Sequence, residues 1–589
     1  MESDRRVLVP VGPDAPRWRT FRTERTLVVA ARTVTSLVRL LDVVPEIVHD
    51  DGRVAVVFAY DPSSAFNDGV LELLRSLRCR TIPWDQLGDV APDLLISASE
   101  NIGAPEGTYP VLVLPHGVGF QKLVPDSAGF GTRLSGLVAD ELLRRRRAWL
   151  AVSHPDQERQ LAAARPDTAG RTVLIGDPCF DRLRASTHWR QRYRSALGVR
   201  PEQRLIMVTS TWGSESLIAS TPDLPHRLLS QLPVDEARVA LVLHPNVWSG
   251  HGAWQIRAMQ RSAMEAGLLL IDPTDGWQQT LTAADLVIGD NGSVTLYAAA
   301  LDKPVLLAAF GSEAVPGTAG FALRSAAGWL DADAPLEAQV QEAEEKHRAG
   351  QFAAIGERAF AEPGVAMPRL RRLVYDLLDL APPKEPARER GARAFGPPTA
   401  KAERLTATLV ETSVQEGPDG RLRVEVRRFP ASVGREGQEG EGRYWHLACD
   451  LDEPDTRLSE GASVLLHTSP AVTPDGAADL LHRTFADFPG VRVAAAAVGG
   501  LCLLRLKDQR IVAARPADGS SPDLAAAAAA VYGLLRYGVE PDGARVAVRH
   551  GRRWQELSLT LRTTPPSPVN RPGVPGRRRP GDSPASRTG

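Results

Sequence analysis

Lysine is scarce in this sequence. Only six lysines (Lys122, Lys303, Lys346, Lys384, Lys401 and Lys507) stand among 70 basic residues, and arginine supplies the rest. With abundant Ala, Gly and Pro this is a codon-usage bias that says little about function. Acidic residues number 71 and the formal net charge is -1, so no global positive field draws the chain onto nucleic acid, and no nucleic-acid partner is expected. Cysteine is also sparse. Cys79, Cys179, Cys449 and Cys502 stand far apart with no CxxC pair, which removes support for a zinc ribbon or a thioredoxin-type site. Scattered cysteines suit a reducing cytosol.

Other absences exclude further classes. No apolar run approaches the roughly 20 residues of a membrane-crossing helix. The opening MESDRRVLVPVGPDAP lacks the apolar core of a secretory signal. The expectation is a cytoplasmic protein whose membrane contact, if any, is peripheral, at the inner face of the cell membrane. The chain contains no Gly-Lys dipeptide, hence no Walker A lysine. No GxGxxG follows a strand with an acidic residue at the right distance, so hydride transfer is poorly supported. No HExxH or paired ligand spacing appears, and neither a metal nor another cofactor is expected.

What is present is an alternation of strand and helix patterns. The 589 residues suggest roughly three to four domains. Apolar runs at 26–32, 53–62, 92–99 and 109–117 alternate with helical spacing at 33–44 and 66–80. A second series has strands at 204–211, 239–246, 267–273, 285–290 and 304–310, with one long helix expected over 251–267. Continuous apolar strands between amphipathic helices indicate parallel sheets covered on both faces. Two Rossmann-like domains are therefore expected, at 23–190 and 195–380, followed by a Pro- and Gly-rich linker at 381–403. Alternating strands and two helices, 474–488 and 522–538, mark an accessory α+β domain at 404–563, and a basic, disordered tail is expected at 564–589.

In open α/β sheets ligands bind beyond the carboxyl ends of the strands. Three polar groups fall at such ends: His116-Gly117, His244-Pro245-Asn246 and Asp290-Asn291-Gly292-Ser293. A helix starting near Gly292 or Ser293 exposes unpaired N–H groups and its positive dipole end, which suits a phosphate or diphosphate. The alternative is that Asn291 or Ser293 merely caps the helix. His116 has the position of a general base near neutral pH, and Lys122, six residues on, can meet a phosphate. For either histidine alone, a loop hydrogen bond is the plainer explanation. Asp181, in the turn-bearing IGDPCFDRL, reads as structural. The run Arg144–Arg147 reads as a solvated face, with anionic lipid as the alternative.

The order of HGxxxxKL, GDPxFDRL, TSTW, HPN and DLVIGDNGSVTLYAAALDKPVLL over about residues 26–375 resembles the CDP-glycerol glycerophosphotransferase family, the teichoic-acid polymerase type. The resemblance implies a GT-B-like pair of Rossmann-like domains, the first facing the acceptor and the second the nucleotide donor. It implies transfer of a glycerophosphate or glycosyl group from CDP-glycerol or a nucleotide sugar to a hydroxyl acceptor. His116 and His244 are implied as catalytic, His116 as the base and His244 against the donor diphosphate. Lys122, Asp290, Asn291, Gly292 and Ser293 are implied at the donor phosphates. The sequence departs from the family pattern where Asn291-Gly292 stands for Tyr-Ser, Leu296-Tyr297 for Phe-Asp, and TSTW for PTWR. Two other readings stay open: a non-catalytic nucleotide-binding or scaffold protein, and an enzyme similar to the UDP-N-acetylglucosamine 2-epimerases.

Overall fold

The computed structural model describes residues 20–562 except 126–130, 386, 388–389, 393–403, 418–419, 435–442, 470 and 472, together with 7, 9, 11 and 15–17. Most of the linker expected at 381–403, and all of the tail expected at 564–589, lies outside the described residues.

The first sheet comprises β1 (Arg25–Ala31), β2 (Val54–Tyr60), β3 (Thr81–Pro83), β4 (Leu94–Ser97), β5 (Val111–Val113), β6 (Ala148–Val152) and β7 (Thr172–Leu174). Its order is β3-β2-β1-β4-β5-β6-β7, parallel throughout. Helix α1 (Val34–Val48) follows β1. Its start is fixed by a reciprocal cap in which the Thr33 hydroxyl accepts the Ser36 N–H and the Ser36 hydroxyl accepts the Thr33 N–H. Helix α2 (Pro178–Ser186) begins the crossover to the second sheet.

The second sheet repeats the plan with β8 (Arg204–Ser210), β9 (Ala237–Leu243), β10 (Leu269–Leu270), β11 (Leu286–Gly289), β12 (Val305–Leu307) and β13 (Gly328–Trp329), in the order β10-β9-β8-β11-β12-β13. Helix α3 (Pro245–His251) follows β9 and α4 (Ser293–Ala300) follows β11. The single helix expected over 251–267 is instead broken, because Gly252 at φ 77° ends α3 and two short helices, Ala253–Met259 and Arg261–Glu265, follow. Strand order reverses between β1 and β4 in one sheet and between β8 and β11 in the other, which opens a crevice at each carboxyl edge.

The chain crosses between the two units twice. Asp177 caps α2, whose Phe180 and Leu183 already belong to the core of the second sheet. Helix α5 (Ala366–Leu377) returns and packs Leu370, Val374 and Tyr375 against Leu27, Leu40 and Val43 of the first unit. Asp181 joins the two crossings by accepting the N–H groups of Gly364 (2.6 Å) and Ala366 (3.0 Å).

The accessory domain is a closed barrel of nine strands. They are β14 (Ala407–Glu416), β15 (Leu422–Pro430), β16 (Arg443–Asp450), β17 (Val464–His467), β18 (Val493–Val498), β19 (Leu501–Leu506), β20 (Ile511–Pro516), β21 (Arg545–His550) and β22 (Arg553–Arg562). Helix α6 (Pro474–Asp487) covers the outside, and α7 (Leu524–Tyr537) fills the inside, where all nine strands contribute to one core around it. The run of alanines in α7 explains how a helix fits there: small side chains let the strands close around it. At Gly533 even a Cβ would come within 3.2 Å of the Thr412 Cβ. The barrel docks beside the amino end of β9, on the side of the second sheet away from its carboxyl edge. There Arg428 donates to Asp235 at 2.6 and 2.7 Å and to Asp523 at 3.2 Å.

Candidate active site

A cleft with about 540 Å³ of room lies between the carboxyl edges of the two sheets. His116, Lys122, His244, Asn291, Gly292 and Ser293 all line it. The first two come from the first unit and the others from the second, so residues up to 177 positions apart in the chain face one another.

Asp290 does not line the cleft. It is fully buried, and its carboxylate accepts the N–H groups of Thr211 (2.8 Å), Leu217 (3.0 Å) and Gly292 (3.0 Å). Its work is to fold the loops after β8 and β11 onto each other. Asn291 plays a similar part: its amide donates to Glu313 at 2.9 Å and accepts the Gly311 N–H at 3.2 Å.

Ser293 opens α4, with Gly292 at the cap position and no side chain closing the helix end. The first-turn N–H groups therefore remain open toward the cleft, where the helix dipole favours negative charge. The Ser293 hydroxyl oxygen accepts the Val118 N–H from the opposite unit at 3.1 Å. A Cβ on Gly117 would stand 2.5 Å from that oxygen, so the close approach of the two loops requires glycine there.

His244 caps α3: its Nδ1 accepts the Asn246 N–H at 3.1 Å. That bond assigns the proton of the neutral ring to Nε2, the only ring nitrogen then able to donate. Burial, followed by the charges of Lys122 and His116, holds its pKa well below the ordinary 6.5. His116 is open to the water of the cleft, yet protein walls crowd it from every side. That crowding lowers its pKa; Glu100 and a hydrogen bond to the Ala98 backbone oppose the shift, and Lys122 adds to it. In the neutral form one ring nitrogen keeps a lone pair.

Lys122 reaches the second unit through a strap. The Leu123 N–H donates to the Glu313 carbonyl at 2.8 Å and the Val315 N–H to the Gln121 carbonyl at 2.9 Å, so this segment of the first unit pairs with the second. The strap sets the Lys122 ammonium 3.3 Å from the Thr211 hydroxyl and 5.7 Å from the centre of the Trp212 ring. Burial lowers its pKa against the pull of Glu313, Asp290 and Glu100.

Two charged residues of the cleft wall, Arg39 and Glu100, have no motif in the sequence to mark them. Arg39 is buried within α1 and donates to Asp177 at 3.0 Å; Asp177 also accepts the Tyr297 hydroxyl at 2.9 Å. This explains the tyrosine at 297: it ties α4 to the crossover. The Arg144–Arg147 run is not a bare cationic face. Arg144 and Arg145 pair with Glu141, Arg145 also with Glu106, and Arg147 is buried against the carbonyls of Tyr109 and Pro105.

Among the described residues no group of three or more His, Cys, Asp or Glu is placed to hold a metal ion. No described helix is long and apolar enough to cross a membrane. The arrangement offers a lone-pair nitrogen on one wall and several N–H donors and an ammonium on the other. Such a pair can remove a proton from a hydroxyl and stabilise charge on a phosphoryl group.

Residues 107–323, which contain His116, Lys122, His244 and Asp290 to Ser293, match the family described as CDP-Glycerol:Poly(glycerophosphate) glycerophosphotransferase. Among solved structures the chain is similar to the wall teichoic acid polymerase TagF, with 12% identity over 61% of this chain and 89% of that one and a TM-score of 0.44. It is similar to the UDP-GlcNAc 2-epimerase from Neisseria meningitidis bound to UDP-GlcNAc, with 12% identity, 60% and 100% coverage and a TM-score of 0.36. The S. aureus MnaA–UDP co-structure gives 11% identity, 63% and 100% coverage and a TM-score of 0.36. No curated protein matches the chain.

Proposed function

We propose that the cleft of this chain, a CDP-glycerol glycerophosphotransferase-like transferase of GT-B build, moves a glycerophosphate group from CDP-glycerol to a hydroxyl acceptor during synthesis of a cell-envelope polymer. The observation that carries this reading is the convergence of His116, His244, Lys122 and Ser293 on one cleft from both sheets. A scaffold would have no need to bring these groups together.

The chemistry follows from the two walls. His116, neutral at pH 7 because its pKa is depressed, takes the proton of the acceptor hydroxyl through its free nitrogen. The hydroxyl oxygen forms a bond to the β-phosphorus of the donor, and the bond from that phosphorus to the bridging oxygen breaks. CMP leaves with that oxygen and its charge. His244 donates from Nε2, Lys122 supplies a compact positive charge, and the first-turn N–H groups of α4 meet the phosphate oxygens. A positive Lys122 between two neutral imidazoles keeps the site cationic without protonating the base.

Ligand-dependent thermal stabilisation tests the donor, because a compound that binds only the folded state must raise the melting temperature. CDP-glycerol and CDP are expected to raise it, and Ser293→Ala is expected to weaken the effect. A shift with UDP and UDP-GlcNAc alone would transfer the assignment to a sugar-nucleotide enzyme. No shift with any of them would favour a scaffold.

A further inference from the structure

The end of β4 carries a carboxylate that the mechanism above does not use. Glu100 is only 7% exposed and lines the cleft. Its carboxylate makes no hydrogen bond among the described residues, and its ion pair with Arg133 is long, at 3.9 Å. Arg133 is itself occupied, donating to the Leu137 carbonyl at 2.6 Å and to the Asn101 side chain. The residue lines the cleft, so a charge with no close partner acts on the groups that face this space.

Its place in the sheet shows which group that is. Strands β4 and β5 are parallel neighbours in which Ser97 stands opposite Val113. Glu100 lies three residues beyond Ser97 and His116 three residues beyond Val113, so the two leave adjacent strand ends at equivalent positions. Both side chains line the cleft, with no direct ion pair between them among the described residues. The β4 end is also held rigidly. The Ser97 hydroxyl accepts the Ser99 N–H at 3.0 Å and donates to the Ser99 carbonyl at 2.8 Å, while the Leu114 N–H donates to the Ser97 carbonyl at 2.8 Å. The Ala98 backbone in this same turn lies against the His116 ring. One short turn thus holds the imidazole and presents a carboxylate beside it.

We propose that Glu100 is the positioning carboxylate of His116, standing at the neighbouring strand end to stabilise the imidazolium formed when His116 takes the acceptor's proton. This rests on the transferase reading for its role in turnover. The proton passes from the hydroxyl oxygen to His116 and goes no further. The charged and titratable groups around His116 are Glu100 from β4, Lys122 from the strap, Arg39 from α1 and His244 from β9. Glu100 is the one anion among them, so its removal leaves the ring facing only cations and a second imidazole.

The proposal is tested by the titration of His116 in labelled full-length protein, followed by NMR and assigned by the signal lost in His116→Ala. Glu100→Gln keeps the shape and removes the charge. The expected result is a lower His116 midpoint, since an opposite charge favours the protonated ring and its loss removes that support. In turnover the acid limb of the pH profile moves down with it and the plateau falls, with KM for the donor unchanged. Glu100→Ala reads the same quantity should Gln be poorly accepted, and Glu100→Asp restores the charge and the midpoint. An unchanged midpoint in both neutral variants overturns the proposal whatever the reaction is. A shifted midpoint with no CMP release from wild-type protein would leave the pairing intact and sink the transferase reading instead.

Discussion

At the residue scale, the glycine in His116-Gly117 shows how closely the two walls of the cleft are matched. Gly117 has room for no Cβ, because Ser293 of the other unit occupies that space, with its Cβ 3.1 Å and its hydroxyl oxygen 2.5 Å from where the atom would lie. Gly117→Ala must push the serine hydroxyl aside and break its bond to the Val118 N–H. Overpacking of this kind costs about 1–3 kcal/mol. The expected outcome is a lower melting temperature together with weaker CDP-glycerol binding, measured by titration calorimetry. An alanine variant that binds the donor as tightly as wild type would show that the loops separate freely. The histidines and Ser293 were legible in the sequence because each follows an apolar strand, and His244 and Ser293 also stand at the start of a helix. Glu100 was not, since SASEN carries no motif, and its partner is made by the pairing of β4 with β5, which lies outside any local window. Asp290 was legible as important, but its role was not. A carboxylate in a polar loop looks the same in sequence whether it meets a ligand or three backbone N–H groups.

At the element scale, the parallel sheets were readable because their strands are continuous apolar runs. The barrel was readable only in part. Strands such as β18 (VAAAAV) are buried on both faces, by α7 inside and α6 outside, so the alternation that marks a half-exposed strand is missing. Inside the barrel, His446 of β16 is 5% exposed, neither ring nitrogen has a partner among the described residues, and its ring lies 4.2 Å from that of Tyr532 in α7. Burial pushes its pKa from 6.5 down to about 3. The folded form thus binds the proton less readily than the unfolded chain. Stability is full above about 6.5 and is lost as the pH falls from there through about 3, by up to about 1.4 kcal/mol per unit. His446→Phe removes this penalty. Denaturant titrations at pH 7 and pH 4.5 should show a large loss for wild type and a smaller one for the variant. Equal losses in both would place the acid sensitivity elsewhere.

At the scale of the whole molecule, the two sheets and the barrel have different jobs. The sheets meet at their carboxyl edges, the α5 return and the Tyr297–Asp177–Arg39 chain bind them across the crossover, and the strap bearing Lys122 closes one side of the cleft. The barrel sits at the opposite edge of the second sheet, held by Arg428 between Asp235 and Asp523. Its presence was signalled by the change of composition after residue 380, but the Arg428 junction depends on long-range contacts that no stretch of sequence reveals. The central claim concerns the cleft, and the most direct measurement is CMP release from CDP-glycerol in the presence of a poly(glycerophosphate) acceptor, compared between wild-type protein and His116→Ala. The account predicts release by wild type and a rate lower by about 10²–10⁴ in the variant, with donor binding preserved. Equal rates in the two proteins would contradict it.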